Sequence, residues 1–163
     1  MRASDFQIHD RQKLDGILAE LCEMIIAGQK KDSDYYGMVA SCVLDMNNNK
    51  VYGINYPKDN KRVHGERAAI DKYHKKYGRI GEGSIIITTC SPCSEDMDER
   101  YGESCTDFID SLDIHKVYCG YSDPSQDDSE RYKHKKFHIV TTRNKQIESL
   151  CKKFADTFLK NTP

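Results

Sequence analysis

Residues 84–89 read Ser84-Ile85-Ile86-Ile87-Thr88-Thr89, a short apolar run about the length of a buried strand. Gly78, Gly81 and Gly83 break the chain just before it, and Cys90-Ser91-Pro92-Cys93 follows it. Upstream, residues 64–77 carry no Gly or Pro after Gly65 and hold Ala68, Ala69 and Ile70, which predicts a helix. Downstream, residues 105–112 (CTDFIDSL) read as a helix and residues 115–121 (HKVYCGY) as another strand. Residues 122–128 (SDPSQDD) are turn-rich, and residues 129–133 (SERYK) add a helical turn. Residues 136–142 (KFHIVTT) form a last strand. Residues 145–160 close as an amphipathic helix, with Ile147, Leu150, Cys151, Phe154, Phe158 and Leu159 on its apolar face.

Nearer the start, Leu14, Ile17, Leu18, Leu21, Met24 and Ile25 fall on one face of a helix from Asp10 to Gln29, with Gly28 marking its end. Two strand-like runs, residues 35–45 (YYGMVASCVLD) and 51–56 (VYGINY), are joined by residues 46–50 (MNNNK) as a hairpin. After this hairpin, strands alternate with helices. The expected fold is α/β in three layers: a mixed five-stranded sheet, antiparallel in its first two strands and mainly parallel in the rest, with helices on both faces. The chain has 163 residues with no internal repeat or low-complexity linker, so one domain over residues 1–163 is expected. Ligands in such sheets bind beyond the carboxyl ends of strands, here near residues 56–64 and 89–93.

Composition narrows the function classes. A net charge of −1 argues against a general nucleic-acid binder, which is usually basic. The local basic clusters (Lys58, Lys61, Arg62; Lys72, Lys75, Lys76; Lys133, Lys135, Lys136) have acidic neighbours and read as solvated surface. No run of 18 apolar residues suggests a membrane span, and the first residues lack the apolar stretch of a secretory signal. The seven cysteines, at 22, 42, 90, 93, 105, 119 and 151, are spread through apolar runs rather than framing short loops. They read as reduced, mostly buried thiols, so a cytoplasmic location is expected.

Two motifs carry chemistry. His64-Gly65-Glu66 opens a helix, and Pro92-Cys93 follows the buried strand. An H-x-E triplet followed by P-C-x-x-C marks the zinc deaminases. Here the second half is altered: Asp96 stands three after Cys93, and the next cysteine is Cys105, beyond an 11-residue stretch, SEDMDERYGES. A catalytic zinc takes three protein ligands and leaves a fourth position to water. Imidazole and thiolates suit zinc, which makes that water acidic near neutral pH. A carboxylate two residues after the histidine can turn back to exchange its proton.

The chain resembles the cytidine deaminase-like superfamily from about Tyr36 to the last helix. The matching stretches are VASCVLD before the hairpin, GINYP after it, HGERAAI, TTCSPC and YCGYSDPS. The DP-containing turn looks like the riboflavin-pathway and tRNA adenosine branches, and the lengthened cysteine gap like the former. SPC looks like the cytidine, deoxycytidylate and AID/APOBEC branches. The resemblance implies that His64 and Cys93 ligate Zn2+ and that Glu66 is the general acid/base. Asn55, Tyr56, Gly65 and Ser91 would contact the substrate. For the third protein ligand the reading prefers Cys105 on metal-ligand chemistry and keeps Asp96 and Cys90 as alternatives. Relatives commonly pair subunits, so a homo-oligomer is open.

Duller readings hold elsewhere. His74 lies among lysines and reads as surface, His115, His134 and His138 flank strands near charges and read as non-ligands, and Cys42, Cys119 and Cys151 read as packing residues. Tyr35, Tyr36, Tyr56 and Tyr101 are candidates for stacking a base, with core packing an equal reading. The acidic stretch 94–104 would repel a phosphate backbone, which favours a small substrate.

The expected function is therefore a zinc-dependent hydrolytic deaminase. Its substrate would be a small molecule carrying the exocyclic amine of a nucleobase, nucleoside, nucleotide or related aminopyrimidine, most simply of cytosine type. The alternatives are a deaminase editing cytosine or adenine in single-stranded nucleic acid, and a non-catalytic module stapled by zinc.

Overall fold

A computed structural model of the chain describes residues 8–31, 39–54, 56–58, 61–92, 104–122 and 135–160. Helix α1 spans Ile8–Lys31. Its buried residues Leu14, Ile17, Leu18, Leu21 and Ile25 are those of the predicted face, joined by Cys22, while Met24 is only partly buried. The helix runs past Gly28, its predicted end. A glycine stops a helix by taking a left-handed conformation, and among the described glycines only Gly78 and Gly83 have positive φ.

Strands β1 (Ala40–Leu44) and β2 (Lys50–Ile54) form the expected antiparallel hairpin, registered from Ala40↔Ile54 to Leu44↔Lys50. Its turn is organised by Asp45, whose carboxylate accepts the backbone N–H groups of Asn47 and Asn49 at 2.9 Å each. Asn48 takes φ 67°, a left-handed value that asparagine tolerates. Tyr73 donates its hydroxyl to Asp45 at 2.7 Å, which ties the turn to the next helix. Burial alone would raise the Asp45 carboxyl. Hydrogen bonds from the Tyr73 and Asn49 side chains and from the two backbone amides instead hold it below its ordinary value.

A second, small hairpin follows: β3 (Tyr56–Lys58) pairs antiparallel with β4 (Lys61–Val63), Tyr56 opposite Val63. The sequence did not announce it, because a three-residue strand is too short to display a period. Helix α2 (Gly65–Tyr77) starts beside it and ends at Gly78, whose φ of 80° suits glycine. Then come β5 (Ser84–Cys90), α3 (Cys105–Asp110), β6 (Ile114–Tyr121), β7 (His138–Thr141) and α4 (Lys145–Lys160). The expected helix over 105–112 closes at Asp110, and the predicted turn of helix over 129–133 lies outside the described residues.

The main sheet has five strands in the order β2-β1-β5-β6-β7. β1 pairs antiparallel with both neighbours, whereas β5-β6 and β6-β7 are parallel. Thus β2, β5, β6 and β7 run one way and β1 runs against them. Side chains alternate across the pleat. Ala40, Cys42, Leu44, Ile87 and Tyr118 point to one apolar cluster with α1 and with Cys151 and Phe154 of α4. Val43, Ile86 and Val117 point to the other, with Ala69, Ile70 and Tyr73 of α2 and Ile109 of α3. This is the three-layer α/β arrangement expected. Among the described residues no helix is long and apolar enough to cross a membrane.

Candidate active site

The carboxyl ends of β2, β5 and β6 and the start of β1 share one edge of the sheet. Both helices that follow this edge aim their first turns at it. His64 precedes α2 in an extended conformation, φ −65° and ψ 146°, and its carbonyl accepts the Ala68 N–H at 2.9 Å. Glu66 lies in the first turn, 4% exposed. Gly65 sits against the backbone just before β1: a β-carbon there would lie 2.4 Å from the Val39 carbonyl oxygen. Cys105 opens α3 directly after Ser104, which caps that helix by accepting the Asp107 N–H at 3.1 Å.

These elements bring three donor groups together. His64 Nδ1 lies 3.1 Å from Cys105 Sγ, and Cys105 Sγ lies 3.9 Å from Glu66 Oε2. All three ligand atoms lie within 4.8 Å of one another. An imidazole nitrogen and a thiolate sulfur sharing a tetrahedral zinc stand about 3.5 Å apart, given usual zinc–ligand lengths. The pair is close to that separation, and its donor atoms are of the kinds that zinc takes.

Contacts with other described residues keep α3 in place. Arg67 of α2 lays its guanidinium 3.5 Å from the ring centroid of Phe108. Lys135 bridges Asp107 at 2.6 Å. Thr106 donates its hydroxyl to the Pro92 carbonyl at 3.5 Å, and the Lys136 N–H reaches Asp110 at 2.8 Å. Ser91 is buried, and its N–H donates to the Tyr121 carbonyl at 2.9 Å, binding the exit of β5 to β6. Beneath Glu66, Thr88 Oγ1 lies 3.4 Å from Oε1 and accepts the Ser41 hydroxyl at 2.8 Å.

Of the residues singled out in the sequence, His64, Glu66 and Cys105 are thus assembled, with Gly65 between the first two. Cys90 is half-buried at the end of β5 and is not one of the three gathered donors. Cys93, Asp96, Asn55 and Tyr101 lie outside the described residues, and Tyr56 opens β3. Sequence reasoning missed Thr88, Ser41, Arg67 and Phe108. The available signal was the hydroxyl residues set within largely apolar strands, Ser41 in β1 and Thr88 in β5.

Residues 18–121 match the family described as the cytidine and deoxycytidylate deaminase zinc-binding region. The chain belongs to this deaminase family. The matched span contains His64, Glu66 and Cys105. No curated protein matches the chain by sequence. Among solved structures it is similar to the Thermotoga maritima diaminohydroxyphosphoribosylaminopyrimidine deaminase/5-amino-6-(5-phosphoribosylamino)uracil reductase, with TM-score 0.67 and 21% identity. That match covers 95% of this chain but only 44% of the other, so the chain spans less than half of the bifunctional protein. The Aspergillus oryzae Rib2 deaminase aligns with TM-score 0.55 and 11% identity, covering 91% of this chain and 99% of that one. The dCMP deaminase of cyanophage S-TIM5 aligns with TM-score 0.50 and 19% identity, covering 63% and 79%. At these identities the likenesses establish a shared fold.

Proposed function

We propose that the chain is a zinc-dependent hydrolytic deaminase that replaces the exocyclic amine of a nucleobase-type ring by oxygen, consuming water and releasing ammonia. The observation that carries the reading is the gathering of His64 Nδ1, Cys105 Sγ and the Glu66 carboxylate within 4.8 Å at the sheet edge. His64, Cys105 and Cys93 would hold the ion, with Cys93 placed in the set by the H-x-E…P-C pattern. When bound, zinc would supply a Lewis acid that lowers the pKa of water.

The chain's own residues do the rest. Glu66 turns Oε2 toward Cys105 and Oε1 toward Thr88. Being almost wholly buried, it works in a low dielectric, where its hydrogen bonds are electrostatically stronger than in water. It takes one proton from water as the oxygen adds to the ring carbon and gives it to the ring nitrogen, then takes the proton of the hydroxyl now on that carbon and gives it to the departing amine, which leaves as ammonia. Asn55, Tyr56, Gly65 and Ser91 are proposed to meet the ring.

The substrate is proposed to be a small cytosine-type base, nucleoside or nucleotide, or a related aminopyrimidine. The related folds are those of an aminopyrimidine deaminase and a dCMP deaminase, and the acidic stretch 94–104 disfavours a polyphosphate strand. The thiol-rich composition supports a reducing, cytoplasmic compartment.

The test is ammonia release by zinc-loaded protein from a panel of cytosine, cytidine, dCMP, aminopyrimidine ribotides and single-stranded oligonucleotides. Turnover of a free pyrimidine is expected. Glu66→Gln should retain zinc and lose roughly 10²–10⁴-fold in kcat. Turnover of the oligonucleotides alone would move the chain to the editing class, and an unimpaired Glu66→Gln variant would remove the enzyme reading.

A further inference from the structure

We propose that Thr88, backed by Ser41, is a positioning residue that aims Glu66. It holds one carboxylate oxygen so that the other faces the His64–Cys105 donors. The inference rests on the reading of Glu66 as the proton shuttle.

Ser41 and Thr88 stand directly opposite each other on the antiparallel strands β1 and β5. Both are fully buried, and both lie on the sheet face that otherwise carries Val43 and Ile86 into the apolar cluster under α2. A hydroxyl in such a place is unfavourable unless it is bonded. Here the two satisfy each other, as Ser41 donates to Thr88 Oγ1 at 2.8 Å. That donation leaves the single Thr88 proton two acceptors, the Cys90 carbonyl at 3.0 Å and Glu66 Oε1 at 3.4 Å. The other carboxylate oxygen, Oε2, is the one that faces Cys105 Sγ.

The two oxygens of Glu66 are therefore not equivalent. One meets a hydroxyl near the carboxyl end of the central strand β5, and the other meets the His64–Cys105 donors. A carboxylate has a broad, roughly two-fold terminal torsion and does not select such an orientation unaided. A valine would fill nearly the same space as Thr88 without the oxygen, so packing by itself does not require a hydroxyl here. Gly65 completes the arrangement, because its missing β-carbon lets the first turn of α2 lie against β1.

The experiment compares zinc-loaded wild-type protein with Thr88→Val, Thr88→Ser and the double variant Ser41→Ala/Thr88→Val. The double variant removes both hydroxyls, so neither is left buried without an acceptor. All should keep their zinc content. Thr88→Val and the double variant should lose about 10- to 100-fold in kcat with KM within about two-fold, as expected when a reacting group is misplaced by a fraction of an ångström to an ångström. Thr88→Ser should restore most of the loss. Crystal structures of the zinc-loaded wild type and double variant should differ in the torsion of the Glu66 carboxylate. A double variant whose Glu66 keeps its orientation, or whose kcat equals that of the wild type, overturns the proposal, as does a serine variant as impaired as the valine. A wild-type protein that turns over no substrate would sink the shuttle reading by itself. The Glu66 torsion would then still decide whether Thr88 places the carboxylate.

Discussion

A β-carbon on Gly65 would meet the Val39 carbonyl oxygen at 2.4 Å and the carbonyl carbon at 3.0 Å. Backbone leading directly into β1 cannot yield as the end of a side chain can, so the helix would have to move. Gly65→Ala should therefore destabilise the protein by about 1–3 kcal/mol through overpacking. For a chain of this size that is a fall of roughly 2–4 °C in Tm per kcal/mol, which calorimetry reads directly. A variant as stable as the parent would show that α2 is free to slide along β1. The same close approach explains why Glu66 reaches Thr88 at all. At this scale the chemistry was legible in sequence, since imidazole, carboxylate and thiol declare themselves. The positioning groups were not. Thr88 reads as one more β-branched strand residue until Ser41 is found opposite it and Glu66 above it.

Helix α3 shows how a weak element becomes a fixed one. It has six residues, too few to hold a helical shape alone. What fixes it comes from outside: Arg67 over Phe108, Lys135 on Asp107, and Thr106 on the Pro92 carbonyl. These contacts deliver Cys105 to His64 across 41 positions of sequence. A Phe108→Ala variant loses the stacked cation and the ring's packing. Its zinc affinity should fall by about ten-fold or more, the size of effect seen when groups that orient a metal ligand are removed. Competition against a chelator at fixed pH measures it, and unchanged affinity would show that α3 is held without the stack. The small β3-β4 hairpin and the continuation of α1 past Gly28 escaped the sequence for local reasons. One is too short for periodicity, and the other turned on a glycine conformation that composition does not fix.

Across the whole molecule, two apolar clusters clamp the sheet from opposite faces, and neither includes His64 or Glu66. The candidate metal site thus lies at the strand ends, outside both clusters. Chelation should therefore abolish deamination and lower Tm by roughly 10 °C, the loss expected for an ion bound at about a thousand times its Kd. The far-ultraviolet circular dichroism should stay that of the folded protein. Loss of the folded spectrum would mean that the metal, not the packing, holds the layers together. The sequence by itself determined the layers: a 3.6-residue period set the buried faces of α1 and α4, and a short apolar run marked β5 as a buried strand. It also determined the kind of chemistry, because donor atoms belong to residues. Only the tertiary structure decided which cysteine comes beside His64 and which hydroxyl lies under Glu66. Those are distances between segments far apart in the chain, and they are set by packing across the sheet rather than by any local pattern.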